Sequence, residues 1–254
     1  MKLLHIIGLL TGICLSACSS VTTTSSEKYQ NQSAEQIFKA GEKALNEHAY
    51  RNAVEHFEAL DTLYPFGPYA ERTQLDLMYS YYRNDDPAST AATAERFIHL
   101  YPRSEYVDYA YYMKGLADFD QDRGWLQRYV HTDLSQRDPG TERRAFDDFN
   151  TLVKLFPHSR YANDAKHHMI YLRNLFAGHE LSVARYYYRR GAYVAAANRA
   201  NVIVQHFQGT DVMPDALAMM VKAYRKLQLE ELADRALVIL RQNYPRSKAN
   251  DEIR

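Results

Sequence analysis

From Ala34 towards the carboxy-terminal end, apolar residues recur at intervals of three and four, the period of helices that bury one face. An aromatic-Pro pair punctuates this pattern at Tyr64-Pro65, Tyr101-Pro102, Phe156-Pro157 and Tyr244-Pro245, and Phe207-Gln208 stands where a fifth pair would fall. Second positions of successive pairs are 37, 55, 51 and 37 residues apart, so a unit of 37 repeats, with insertions of 18 and 14 in the middle two. Twelve residues before each second position stand Ala53, Thr90, Ala145, Ala196 and Ala233. Eight before it come Phe57, Ala94, Phe149, Ala200 and Leu237, and five before it Leu60, Phe97, Leu152, Ile203 and Leu240. Spacings of four and three place these sets on one helical face. Proline then ends the helix and drives the preceding residue out of the helical region. Ser104, Ser159 and Ser247 follow their prolines by two residues and are placed to cap the next helix.

Gly41 lies twelve residues before Ala53, and Gly115 precedes the insertion of the third unit. This resembles the tetratricopeptide pattern, in which a small residue of helix A faces a small residue of helix B, an aromatic follows in B, and proline closes the unit. Two antiparallel helices approach closely only where both side chains are small. The expected fold is therefore all-α, a tetratricopeptide-repeat solenoid of five helical hairpins over residues 34–250. The repeats fall near 34–67, 71–104, 105–159, 160–210 and 211–247. The insertion between about 120 and 140 holds Gly124, the single Trp125 and an Asp138-Pro139-Gly140 turn. The fourth unit reads as helix from Tyr161 to about Ala177 and again from Leu181 to Arg190.

Ahead of the repeats, Lys2 is followed by the apolar run Leu3 to Leu15 and then by Ser16, Ala17 and Cys18. The run is short for a membrane span and has the layout of a secretory signal over residues 1–17. Leu15-Ser16-Ala17-Cys18 resembles the bacterial lipobox. That resemblance implies lipidation of Cys18 by acyl chains, palmitate among them. Ser19 in place of aspartate favours the outer membrane, facing the periplasm. With Cys14 removed and Cys18 blocked, no disulfide can form in the mature chain. Residues 18–33, rich in Ser and Thr, read as a lipidated flexible tether. Its reach would be roughly 20 Å.

Charge narrows the partners. Lys+Arg 31 balances Asp+Glu 31, so no positive field favours nucleic acid. No GxGxxG, GxxxxGK or GxSxG motif occurs, and no cofactor is expected. His158, His167, His168 and His179 lack an HExxH spacing, and adjacent His167 and His168 point about 100° apart on a helix. Asp147-Asp148 and the Asp118, Asp120, Asp122 set read as solvated carboxylates. Arg185, Arg189 and Arg190 with Arg199 form the densest basic group. Tyrosine is abundant at 21 residues, with clusters at Tyr79, Tyr81, Tyr82, at Tyr109, Tyr111, Tyr112 and at Tyr186, Tyr187, Tyr188. Consecutive residues step by about 100°, so a triplet cannot lie wholly in one seam, and some tyrosines belong to a groove or to contacts between repeats.

Residues 64–82, YPFGPYAERTQLDLMYSYY, together with FEALDTLYPFGPY, RFIHLYP, SQRDP and SVARYYYRRGAYVAAANR, resemble the BamD family, the tetratricopeptide-repeat lipoprotein subunit of the outer-membrane β-barrel assembly machine. The resemblance implies a scaffold without enzymatic activity. Its amino-terminal repeats, about 34–159 here, would receive the β-signal of unfolded outer-membrane proteins. Its carboxy-terminal repeats, about 160–250, would dock on the central barrel subunit, BamA, beside accessory lipoproteins of the complex. Carried over by motif, Tyr64, Pro65, Phe66, Gly67, Pro68 and Tyr69 are the candidate substrate residues, and Arg199, Arg189 and Arg190 the candidate docking residues. A secretin pilotin or a coordinator of cell-wall synthesis would share the lipobox and repeats but not the YPFGPY stretch.

Overall fold

The computed structural model describes residues 28–121 and 139–253. The signal segment, Cys18 and the insertion with Gly124 and Trp125 lie outside them. Among the described residues ten α-helices follow in chain order: α1 (Ala34–Asn46), α2 (Tyr50–Leu63), α3 (Ala70–Arg83), α4 (Pro87–Leu100), α5 (Val107–Asp120), α6 (Gly140–Leu155), α7 (Ala162–Arg189), α8 (Tyr193–His206), α9 (Met213–Lys226) and α10 (Glu230–Asn243). Of these, α1 packs on α2, α5 on α6, α7 on α8 and α9 on α10. A short 3-10 helix, Lys248–Ile253, follows and packs on α9. Among the described residues there is no strand. The architecture is all-α and of the tetratricopeptide type. The chain forms two compact units, the first ending at Leu77 and the second beginning at Met78, inside α3.

Residues 28–33, which composition assigns to the expected tether 18–33, belong to the folded chain. Tyr29 is 1% exposed, its ring edge-on to His56 at 5.3 Å, and Lys28 pairs with Glu55 at 3.0 Å. Ser33 then starts α1 through a capping box: its Oγ accepts from the Gln36 amide while the Gln36 side chain accepts from the Ser33 amide. One aromatic anchor outweighs a polar composition around it.

The repeat register is the core. Ala53, Thr90, Ala145, Ala196 and Ala233 are fully buried, and so are Phe57, Ala94, Phe149 and Ala200 at the next position. In two hairpins the facing residues are matched by volume. Gly41 faces the Phe57 ring rather than Ala53, since a Cβ on Gly41 would meet Phe57 Cε1 at 2.6 Å. Gly115 stands identically against Phe149, again at 2.6 Å. In the second repeat the same register positions are Met78 and Ala94, both fully buried. In the first and third repeats a ring on one helix is thus answered by a glycine on the other, which keeps interior density near that of a crystal.

Both turns of the unit also repeat. Between the helices of a hairpin, His48, Asp85, Gly191 and Gln228 adopt left-handed backbone with φ between 59° and 77°. The next amide in each case donates back to a carbonyl of the last helical turn: Ala49 to Ala44, Asp86 to Tyr81, Ala192 to Tyr187 and Leu229 to Tyr224. This is the Schellman closure, and only one of the four positions carries glycine. At the far end, Tyr64, Tyr101, Phe156, Phe207 and Tyr244 all leave the helix with φ between −134° and −123°, and each amide still reaches the carbonyl four residues back. Phe207 does so without a following proline. There Gln208 supplies a different stop, its side-chain amide donating to the Val204 carbonyl at 3.0 Å.

Two expectations shift in detail. Ser104, Ser159 and Ser247 do not occupy the helix cap itself; each Oγ accepts the amide two residues on, at 3.0, 3.1 and 3.2 Å, and so shapes the turn before the helix. The two helical stretches of the fourth unit are one 28-residue helix, α7. Gly178 lies inside it at a helix-propensity cost of about 1 kcal/mol. Burial of Ala177, Glu180 and Leu181 holds that turn together.

Candidate functional site

The stretch Tyr64–Tyr69 connects α2 to α3. Its ends are fastened: the Tyr64 hydroxyl donates to the Gln32 carbonyl at 2.8 Å, and the Tyr69 ring lies 4.8 Å from that of Phe38. Between them Pro65, Phe66, Gly67 and Pro68 are exposed, Phe66 to 93%. Two prolines limit the backbone freedom of this exposed aromatic. Gly67 has neither a positive φ nor a neighbour that a Cβ would strike. It is not required by the fold of this turn.

Two of the clustered tyrosines are structural struts. Tyr82 of α3 donates to Asp120 of α5 at 3.0 Å, and Tyr112 of α5 donates to Asp164 of α7 at 2.6 Å. Each bridge joins the first helix of one repeat to the first helix of the next. Burial and the Asp164 hydrogen bond push the Tyr112 phenol well above its ordinary range, so it remains a donor. Tyr112 also stacks on Tyr161 at 4.8 Å. Tyr186 is the member of its triplet that is half exposed, with the Arg190 guanidinium 6.0 Å from its ring centre.

The candidate docking residues lie at two places on the α7–α8 hairpin. Arg189 and Arg190 are exposed at the end of α7. Arg199, on α8, reaches back to Glu180 of α7, Nη1 to Oε2 3.0 Å. Glu180 lies nine residues before Arg189, about 14 Å along the helix axis. The Glu180 side chain is 11% exposed and that of Arg199 45%, so the pair is anchored inside with one guanidinium edge facing out. Arg185 pairs with Asp215 at 2.9 Å.

Carboxylates that read as solvated are in part interior. Lys114 of α5 pairs with Glu95 of α4 and, at 3.3 Å, with Asp148 of α6. Burial raises the Asp148 carboxyl to about 6; Lys114 opposes this and the Asp118 carboxyl adds to it. The histidines divide: His168 stacks on Phe149 at 5.0 Å and pairs with Asp164, whereas His167 is exposed. No group of three or more His, Cys, Asp or Glu able to hold a metal occurs among the described residues.

One recess escaped sequence reasoning altogether. Arg143, Phe146 and Asp147 of α6, Arg173 and Phe176 of α7, and the His206-Phe207 end of α8 enclose about 380 Å³. Its parts lie up to 64 residues apart, and no local pattern announces it.

A scaffold of helical hairpins, with an aromatic turn held out from its first unit and charged residues on its later helices, defines a protein of the tetratricopeptide-repeat type. The model of an outer membrane lipoprotein family, YfiO, matches residues 30–239. The outer membrane protein assembly factor BamD of Neisseria gonorrhoeae is 39% identical over 238 residues, covering 93% of this chain and 89% of the relative. BamD of Vibrio cholerae is 37% identical over 243 residues, covering 96% and 99%. Among solved structures, that of the MamA protein shares 15% identity at a TM-score of 0.37, covering 82% of this chain and 90% of MamA. The chain belongs to the BamD family of outer membrane protein assembly factors.

Proposed function

We propose that this chain is a non-enzymatic scaffold of the outer-membrane β-barrel assembly complex. It is anchored through lipidated Cys18 and faces the periplasm. Its exposed turn Tyr64, Pro65, Phe66, Gly67, Pro68, Tyr69 receives the β-signal of unfolded outer-membrane proteins, and the edge bearing Arg199, with Arg189 and Arg190, docks on the central barrel subunit, BamA, next to accessory lipoproteins. The observation that carries this reading is Phe66, an aromatic side chain 93% exposed on a turn pinned at both ends. A large apolar ring kept in water by two prolines stabilises nothing in this chain and suits an extended aromatic peptide.

Copurification of the full lipidated chain from gently solubilised membranes tests it. Phe66→Ala is expected to lose unfolded barrel precursors while keeping BamA. Arg199 needs a control, because Arg199→Glu also sets two carboxylates together. The charge swap Arg199→Glu with Glu180→Arg restores the internal pair but moves the exposed guanidinium. Loss of BamA in the single variant that persists in the swap supports docking; recovery in the swap assigns Arg199 to the hairpin alone.

A further inference from the structure

The recess between α6, α7 and α8 has chemistry that the substrate turn and the Arg199 edge do not use. Its walls are aromatic: the Phe146 and Phe176 rings meet edge to face at 6.0 Å, and half-buried Phe207 adds a third apolar surface. Its rim is cationic. The Arg143 guanidinium lies over the Phe176 ring, 5.4 Å from the centroid, and makes no hydrogen bond among the described residues. Arg173 is held across the opposite side by donation from Nη2 to the His206 carbonyl at 3.4 Å and the Gln208 carbonyl at 3.2 Å. That tie fixes the guanidinium at the carbonyl end of α8 and leaves its other donors for a ligand. Asp147 is the one acidic side chain of the lining, and His206 is exposed.

We propose that this recess binds a segment of a partner polypeptide in which an aromatic side chain adjoins a carboxylate. The ring would enter between Phe146, Phe176 and Phe207, and the carboxylate would meet Arg143 in the two-point geometry that guanidinium favours. Two fixed-charge cations against one carboxylate leave the rim net positive, so an acidic segment is complementary and a basic one is repelled. A volume of about 380 Å³ admits one aromatic side chain with its flanking backbone, not a folded surface. This binding surface lies on other residues than the turn at 64–69 and does not depend on what that turn binds.

The test uses the full chain in detergent and three dye-labelled peptides read by fluorescence anisotropy: acetyl-Gly-Glu-Phe-Asp-Gly-amide, the same peptide with Phe replaced by Ala, and the same peptide with Glu and Asp replaced by Gln and Asn. The first is expected to bind saturably, and each of the others at least tenfold more weakly. Arg143→Glu should weaken the first peptide at least tenfold, and Arg143→Lys by less, since charge is kept and the fork is lost. Arg143 is exposed, so these variants are expected to retain native helicity by circular dichroism. Asp147→Asn removes the opposing charge and should tighten binding severalfold. Equal binding of all three peptides, no saturable binding, or an unchanged affinity in Arg143→Glu would each overturn the proposal.

Discussion

Replacing Gly115 by alanine sets two physical effects against each other. In an exposed helix the change would stabilise by about 1 kcal/mol, because alanine has the higher helix propensity. Here the new Cβ would stand 2.6 Å from Cε1, 2.7 Å from Cδ1 and 3.1 Å from Cζ of Phe149. The ring cannot yield freely: it is fully buried, stacked on His168 at 5.0 Å and flanked by Phe119 and Tyr112 at 6.4 and 6.3 Å. Overpacking of this kind costs about 1–3 kcal/mol, which exceeds the propensity gain. A net loss of about 1 kcal/mol is expected in urea unfolding followed by circular dichroism, with faster hydrogen exchange in α5 and α6 locating it. Phe149→Leu should relieve the clash, so the double variant will be more stable than the sum of the single changes by about 1 kcal/mol or more. A Gly115→Ala protein more stable than native, or a double variant additive within about 0.5 kcal/mol, would refute the argument that ring contact fixes this glycine.

Gln228→Gly removes a side chain from a left-handed position at φ 59° and is expected to stabilise by up to about 1 kcal/mol, measured by urea titration. Tyr112→Phe deletes the 2.6 Å hydrogen bond to Asp164 and should cost about 0.5–1.5 kcal/mol in the same assay. For Asp148, whose folded pKa of about 6 lies above the ordinary carboxyl value, the folded chain holds the extra proton, so its contribution is present at acid pH and fades as pH rises towards and past 6. Stability curves between pH 4 and 7 should therefore fall less steeply in Asp148→Asn than in the native chain; parallel curves would remove this carboxyl from the account. Thr90→Ala places the residue of the other four repeats into the same buried register, and its loss is confined to the hydroxyl bond to the Asp86 carbonyl, about 1 kcal/mol by thermal melting.

The sequence by itself determined the helices, their pairing and the buried face, because a period of 3.6 and a repeat of 37 residues are properties of order along the chain. Ala53, Phe57, Leu60 and their counterparts needed no coordinates to be placed inside. The sequence also carried the family, through the motif around Tyr64–Tyr69. What it could not give was which side chain answers which across a seam. Gly41 reads as the mate of Ala53, and only the packed hairpin shows that its missing Cβ is space for Phe57. His48, Asp85 and Gln228 carry no glycine signal, yet the closure of each hairpin forces them into left-handed backbone. Arg199 and Glu180, Lys114 and Asp148, and the Arg143 recess are meetings between different helices. Their distances are set by crossing geometry and by the volumes packed between the helices, quantities that no local stretch of sequence encodes.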